Sequence, residues 1–135
     1  MSDKQSITDQ ELLEAARRAR AHAYAPYSKF LVGAAVLGQS GRVFSGCNVE
    51  NASYGATICA ERVAITKMVS EGEIVPVAVA IYTEAEELTM PCGVCRQVLR
   101  EFSPTLRVLV GGPRSHEEMS LAQLFPRPFS FSKEP

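Results

Sequence analysis

The sequence has no tryptophan and only two histidines, His22 and His116, which stand alone in no catalytic pattern. Missing tryptophan decides nothing about the fold. The chain also lacks an excess of either charge: 14 lysines and arginines against 15 acidic residues leave a net charge of −1. A polyanion usually needs a basic surface that neutralises several phosphates, so the balance argues against nucleic acid as the main partner and a small neutral substrate fits better. Long apolar runs are absent too. The longest, Phe30 to Leu37, falls far short of the roughly 18 residues a membrane-spanning helix needs. The N-terminus is polar and acidic, with no secretion or insertion signal, so the chain is expected in the cytoplasm, away from membranes.

The sequence of 135 residues is 46% hydrophobic and 21% charged, the balance of an ordinary globular protein, and its length predicts a single domain over residues 1–135. Four cysteines without a leader point to a reducing compartment, where thiols bind metals or do chemistry more often than they form disulfides. Arg17, Arg18 and Arg20 share their stretch with Glu11 and Glu14, which reads as a solvated charged helix face.

Thr8 to Glu11 is a capping box that starts a helix, with an apolar stripe of Leu12, Leu13, Ala16, Ala19 and Ala23 and a stop set by Pro26. Phe30–Leu37 reads as a buried strand, Gly38–Gly41 as a turn and Arg42–Cys47 as the returning strand of a hairpin. Ile58–Glu71 is helical and closed by Gly72, Val75–Thr83 is a strand, Cys92–Phe102 is an amphipathic helix stopped before Pro104, and Arg107–Val110 is a short strand. After the first helix the order is β-β-α-β-α-β. The Val75–Val110 segment is long enough for a parallel crossover, so the pattern predicts a mixed sheet with helices on its faces.

Cys92-Gly93-Val94-Cys95 puts two thiols on one face of a helix start, where the first-turn amides favour thiolate. Such a pair serves a metal or a redox dithiol equally well. Cys59, at a second helix start, supplies a possible third metal ligand, and three protein ligands are the number typical of catalytic zinc. Three thiolates would blunt the acidity of the ion unless a cation offsets part of their charge. Arg62 and Arg96 adjoin the cysteines, and at least one is expected to donate toward the sulfurs, Arg62 foremost because it shares the first turn with Cys59. Glu61, two residues past Cys59, is placed to take a proton from water beside the metal and deliver it to substrate.

Cys59-Ala60-Glu61-Arg62 together with Pro91-Cys92-Gly93-Val94-Cys95-Arg96-Gln97 resembles the small cytidine deaminases, the kind with three cysteines where other zinc deaminases begin with histidine. The likeness extends to Ala25-Pro26-Tyr27-Ser28-Lys29-Phe30 with Val32-Gly33-Ala34-Ala35, to Asn48-Val49-Glu50-Asn51-Ala52-Ser53-Tyr54, and to Leu124-Phe125-Pro126 followed by Phe129. It therefore covers nearly the whole chain.

The resemblance implies a three-layer α/β/α fold with a mixed central sheet of about five strands. It also implies one zinc (Zn2+) per chain on Cys59, Cys92 and Cys95, and Glu61 as the proton shuttle. Asn48 and Glu50 would hold the ribose 3′-hydroxyl, and Phe30 would pack on the pyrimidine. Ala52, Tyr54 and Phe129 would reach into a neighbouring subunit's site, in a homotetramer with shared active sites. The implied reaction is hydrolytic deamination of cytidine and 2′-deoxycytidine to uridine and 2′-deoxyuridine, with release of ammonia, in pyrimidine salvage.

Cys47 could close a four-cysteine structural site, but no cysteine stands close to it in sequence. Rival readings are a deaminase of a nucleoside-like antibiotic such as blasticidin S, a nucleic-acid editing deaminase, and a zinc-stabilised binding module in which Glu61 would be dispensable. The Asn48–Asn51 segment argues against the first, and the balanced charge and few aromatics argue against the second. For assembly, the segment Leu121, Leu124, Phe125 and Phe129 is expected to dock on a neighbour.

Overall fold

The computed structural model describes residues 7–131; the ends of the expected 1–135 unit, residues 1–6 and 132–135, lie outside the described residues. The elements run α1 (Asp9–Arg20), β1 (Gly33–Gly38), β2 (Val43–Cys47), α2 (Ala60–Ser70), β3 (Pro76–Tyr82), α3 (Gly93–Phe102), β4 (Arg107–Gly111), β5 (His116–Ser120) and α4 (Leu121–Leu124). Thr8 caps α1 as its sequence predicts: its hydroxyl accepts from the Glu11 amide at 3.0 Å, and the Glu11 carboxylate accepts from the Thr8 amide at 2.8 Å.

The strands form one sheet in the order β2-β1-β3-β4-β5. β1 and β2 are the expected hairpin, β1 and β3 pair antiparallel, and β3 and β4 pair parallel across the α3 crossover. Side chains alternate between two cores. Ala34, Val36, Val79, Ile81, Val108 and Val110 face α2 and α3, whereas Ala35, Ala78, Ala80, Tyr82 and Leu109 face α1. This strict period of two gives the α/β/α layering.

Bare backbone lets both helix layers approach the sheet. A Cβ at Gly33 would stand 1.9 Å from the Ala16 carbonyl of α1. At Gly46 it would stand 2.7 Å from the Ala64 nitrogen and 2.8 Å from the Ala60 oxygen of α2. Gly46 thereby sets the depth of the α2 start. On the outer face of α1, Arg17 and Arg18 are exposed and pair with Glu14, as a solvated charged face would, whereas Arg20 is partly buried and its Nε donates to the Leu31 carbonyl.

Some details of the expected elements need correction. The first helix stops at Arg20 and not near Pro26, because Tyr24 bridges to Val49 and draws the backbone into extended form. The strand expected from Phe30 begins at Gly33, because Asn48 holds residues 30–32 outside the ladder. The sheet has the five strands that the resemblance implies, one more than the pattern itself marks: β5, His116-Glu117-Glu118-Met119-Ser120, has no apolar alternation to reveal an edge strand. The C-terminal segment also folds back on its own chain: Leu121 is fully buried in the α2–α3 core and Leu124 packs against it, leaving Phe129 and Phe131 as its exposed aromatics.

Candidate active site

Cys59 and Cys92 occupy equivalent places, each the N-cap of its helix, and neither side chain caps a backbone amide. Both sulfurs thus stand beside the free amides at the start of a helix. The helix expected from Ile58 begins later, at Ala60, because Ile58 exchanges two backbone hydrogen bonds of 2.9 Å with Val49. Cys95 sits one turn into α3 and is buried. The Cys59 and Cys92 sulfurs are 3.7 Å apart, and all three sulfurs lie within 4.8 Å of one another. Thiolates at ~2.3 Å around a tetrahedral zinc are ~3.8 Å apart, so the cluster has the size and donor set zinc requires.

Arg62 donates to the Cys59 sulfur at 3.6 Å and to the Thr57 carbonyl at 3.3 Å. Arg96 is turned elsewhere, to the carbonyls of Pro91 and Leu124, both at 2.8 Å. Of the two arginines, Arg62 is therefore the one that reaches sulfur. Cys59 is pulled down to about 5, first by a hydrogen bond from Cys95 and then by Arg62, against the opposing effect of burial. Cys95 is pushed far above the usual thiol range by that same hydrogen bond and by burial. Cys47 lies at the end of β2, outside the cluster, with its thiol raised by burial.

Glu61 is in the first turn of α2 and only 4% exposed. Burial raises its carboxyl to about 7, with the Cys59 charge adding to the effect and Arg62 opposing it. A carboxyl poised near neutrality can take and return a proton at physiological pH.

Cys59, Glu61 and Cys92 open into a cleft of about 260 Å³ shared with Phe30, Asn48 and Glu50. Asn48 is buried and braces the cleft wall: its Oδ1 accepts from the Val32 amide at 2.9 Å and its Nδ2 donates to the Phe30 carbonyl at 2.8 Å. One amide hydrogen and one lone pair remain for a ligand. Glu50 accepts from the amides of Tyr27 at 3.0 Å and Ser28 at 3.1 Å, and from the Ser28 hydroxyl. Its carboxyl is held below the usual range, foremost by that hydroxyl.

Ala52 is exposed, and Tyr54, 84% exposed, forms a rim with Glu50, Asn51 and Thr57. Phe129, 65% exposed, rests edge-on against Phe131, its carbonyl accepting from the Gln97 side chain at 3.0 Å. These three sit on the surface of the chain rather than in its own cleft. Sequence reasoning left Ser28, Thr57, Thr89 and Met90 without a role, although all four line the cleft. The cues the sequence offered are that Ser28 lies in the Ala25–Phe30 block and that Thr89 and Met90 immediately precede Pro91-Cys92.

Residues 6–111 match the family model described as the cytidine and deoxycytidylate deaminase zinc-binding region. The chain is 44% identical over 123 residues to a cytidine deaminase of Halalkalibacterium halodurans, covering 90% of this chain and 93% of that one. It is 42% identical to a cytidine deaminase of Sporosarcina psychrophila, with 90% of each covered. The crystal structure of cytidine deaminase from Burkholderia pseudomallei superposes with a TM-score of 0.88 at 44% identity, over 91% of this chain and 100% of that one. That from Mycobacterium tuberculosis gives 0.80 at 41% identity, over 93% and 100%. Sequence, backbone and the sulfur cluster agree, and the chain belongs to the cytidine deaminase family as an enzyme that deaminates cytidine and carries one zinc.

Proposed function

We propose that the chain catalyses zinc-dependent hydrolytic deamination of cytidine and 2′-deoxycytidine to uridine and 2′-deoxyuridine. The observation that carries this reading is the buried carboxyl of Glu61 in the same cleft as Cys59 and Cys92, two of three clustered sulfurs. Cys59, Cys92 and Cys95 hold the zinc, and Arg62 offsets part of their charge. When bound, zinc supplies a Lewis acid that brings the pKa of water toward neutrality. Glu61 accepts a proton from the attacking water and gives it to ring N3 as the water oxygen bonds to C4. A second proton from the same water goes to the amino group through Glu61. The C4–N bond then breaks, ammonia leaves, and the oxygen stays as the C4 carbonyl of uridine.

At the other end of the cleft, Asn48 and Glu50 hold the 3′-hydroxyl that both nucleosides share, and Phe30 packs on the base. Ala52, Tyr54 and Phe129 complete a neighbouring chain's site in a homotetramer. Their exposure supports this reading, because an isolated chain would leave the rings of Tyr54 and Phe129 largely in water. Residues 1–135 act as one domain, a reading supported by one sheet flanked by two cores. The four cysteines form no disulfide, which suits a reducing cytoplasm and a role in pyrimidine salvage there. Among the described residues no helix is long and apolar enough to cross a membrane.

The test is ammonia release from cytidine, 2′-deoxycytidine, cytosine, blasticidin S and a cytosine oligonucleotide. Turnover of the first two alone is expected; preference for blasticidin S or the oligonucleotide would replace the reading. For assembly, sedimentation equilibrium should give the mass of four chains, and mixing Phe129→Ala with Glu61→Gln chains tests sharing of sites. Full activity at the mass of one chain would end the tetramer reading.

A further inference from the structure

We infer that Ser28 is a positioning residue for nucleoside recognition: its hydroxyl fixes Glu50 so that one lone pair of one carboxylate oxygen is left for the sugar. The inference rests on the reading of Glu50 as the acceptor of the 3′-hydroxyl.

Hydrogen-bond accounting carries the argument. Glu50 Oε1 accepts from two backbone amides, Tyr27 at 3.0 Å and Ser28 at 3.1 Å, which occupies both its lone pairs. Glu50 Oε2 accepts from the Ser28 hydroxyl. The Ser28 oxygen accepts in turn from the Phe30 amide at 3.0 Å. A serine hydroxyl has a single hydrogen, and with Phe30 donating to the oxygen that hydrogen is aimed at Glu50. Three donors converge on the carboxylate, so Glu50 is an obligate acceptor with one position left, on Oε2.

The backbone supports this arrangement. Lys29 has φ 63, the left-handed region that non-glycine residues rarely enter. That turn allows the Phe30 amide to reach back to the Ser28 oxygen, and it joins Glu50 to the residue that packs on the base. An acceptor held this way discriminates by the partner's ability to donate. A sugar with a 3′-hydroxyl fills the last lone pair, and one without it leaves that position unpaired.

The test is the steady-state kinetics of Ser28→Ala, Glu50→Ala and the double variant on cytidine and 3′-deoxycytidine. Ser28→Ala is expected to raise KM for cytidine about tenfold with kcat nearly unchanged, and to change KM for 3′-deoxycytidine by less than about twofold. Added to Glu50→Ala, it should contribute less than about twofold more, since its effect passes through that carboxylate. Ser28→Thr, which keeps the hydroxyl, should restore KM to within about threefold of the wild type. Equal losses on both nucleosides, full additivity in the double variant, or no rescue by threonine would overturn the inference while leaving Glu50 in its role. A Glu50→Ala variant that keeps its KM for cytidine would remove the sugar reading and this inference with it.

Discussion

The two ends of the cleft are built by different means. At the sulfur end, Cys59 and Cys92 stand at the starts of two regular helices whose packing against the sheet is set by buried apolar residues and by Gly46. At the sugar end, Asn48 and Glu50 lie on extended chain outside the sheet, held by isolated bridges of Val49 to Tyr24 and Ile58 and by side chains that satisfy backbone amides. Regular elements position the groups proposed to do chemistry, and a mesh of polar contacts positions the groups proposed to read the substrate. The first arrangement is rigid for reasons of packing, and the second is only as firm as each hydrogen bond.

Breaking the sulfur end should have the largest effect. Cys92→Ala is expected to lose stoichiometric zinc, turnover and thermal stability together, since the ligand joins both helix starts. Metal analysis and a melting curve check this, and retention of zinc would show that two sulfurs suffice. Glu61→Gln separates chemistry from construction: zinc and stability should remain while kcat falls by about 10²–10⁴-fold, the usual contribution of a positioned acid–base group. Substantial residual turnover would remove Glu61 from the shuttle role.

At the sugar end, Glu50→Ala should weaken cytidine and 2′-deoxycytidine alike, by about 10- to 100-fold in kcat/KM, because the proposed contact is with a hydroxyl they share. A loss confined to cytidine would move Glu50 to the 2′-hydroxyl. The smallest effect is expected remote from both ends, at Arg107, whose guanidinium pairs with Asp9 and Glu118. Glu118 is held below its usual 4.5 by the hydrogen bond from Arg107. A lowered carboxyl stabilises the fold above its unfolded value and ceases to do so as pH falls through the folded one. Arg107→Gln should therefore melt a few degrees lower at neutral pH, with kcat/KM intact, and the gap should close as the pH drops below 4.5.

The same contrast explains what was legible in the sequence. The Cys92–Cys95 spacing, Glu61 next to Cys59 and the Thr8–Glu11 box are local chemistry, and each appears in the structure where its spacing implies. Residues 21–32 and 48–58 were not legible as structure, because their shape comes from contacts between segments far apart in the chain, such as Asn48 with Phe30 and Val32. The edge strand β5 carries charge where an apolar alternation would have marked it. The helical turn after it does carry a local signal: Ser120 and Gln123 form a capping box of the same kind as that of α1.

The meeting of two helix starts at one cluster also ties the chain into a loop. Cys59 and Cys92 are 33 positions apart, and the span between them contains β3, the central strand of the sheet. Closing a flexible loop of that length costs about 3 kcal/mol of chain entropy, before any constant term. An ion gripping both ends acts as a clasp on the middle of the sheet, so the opening of β3 in hydrogen exchange should track the concentration of free zinc.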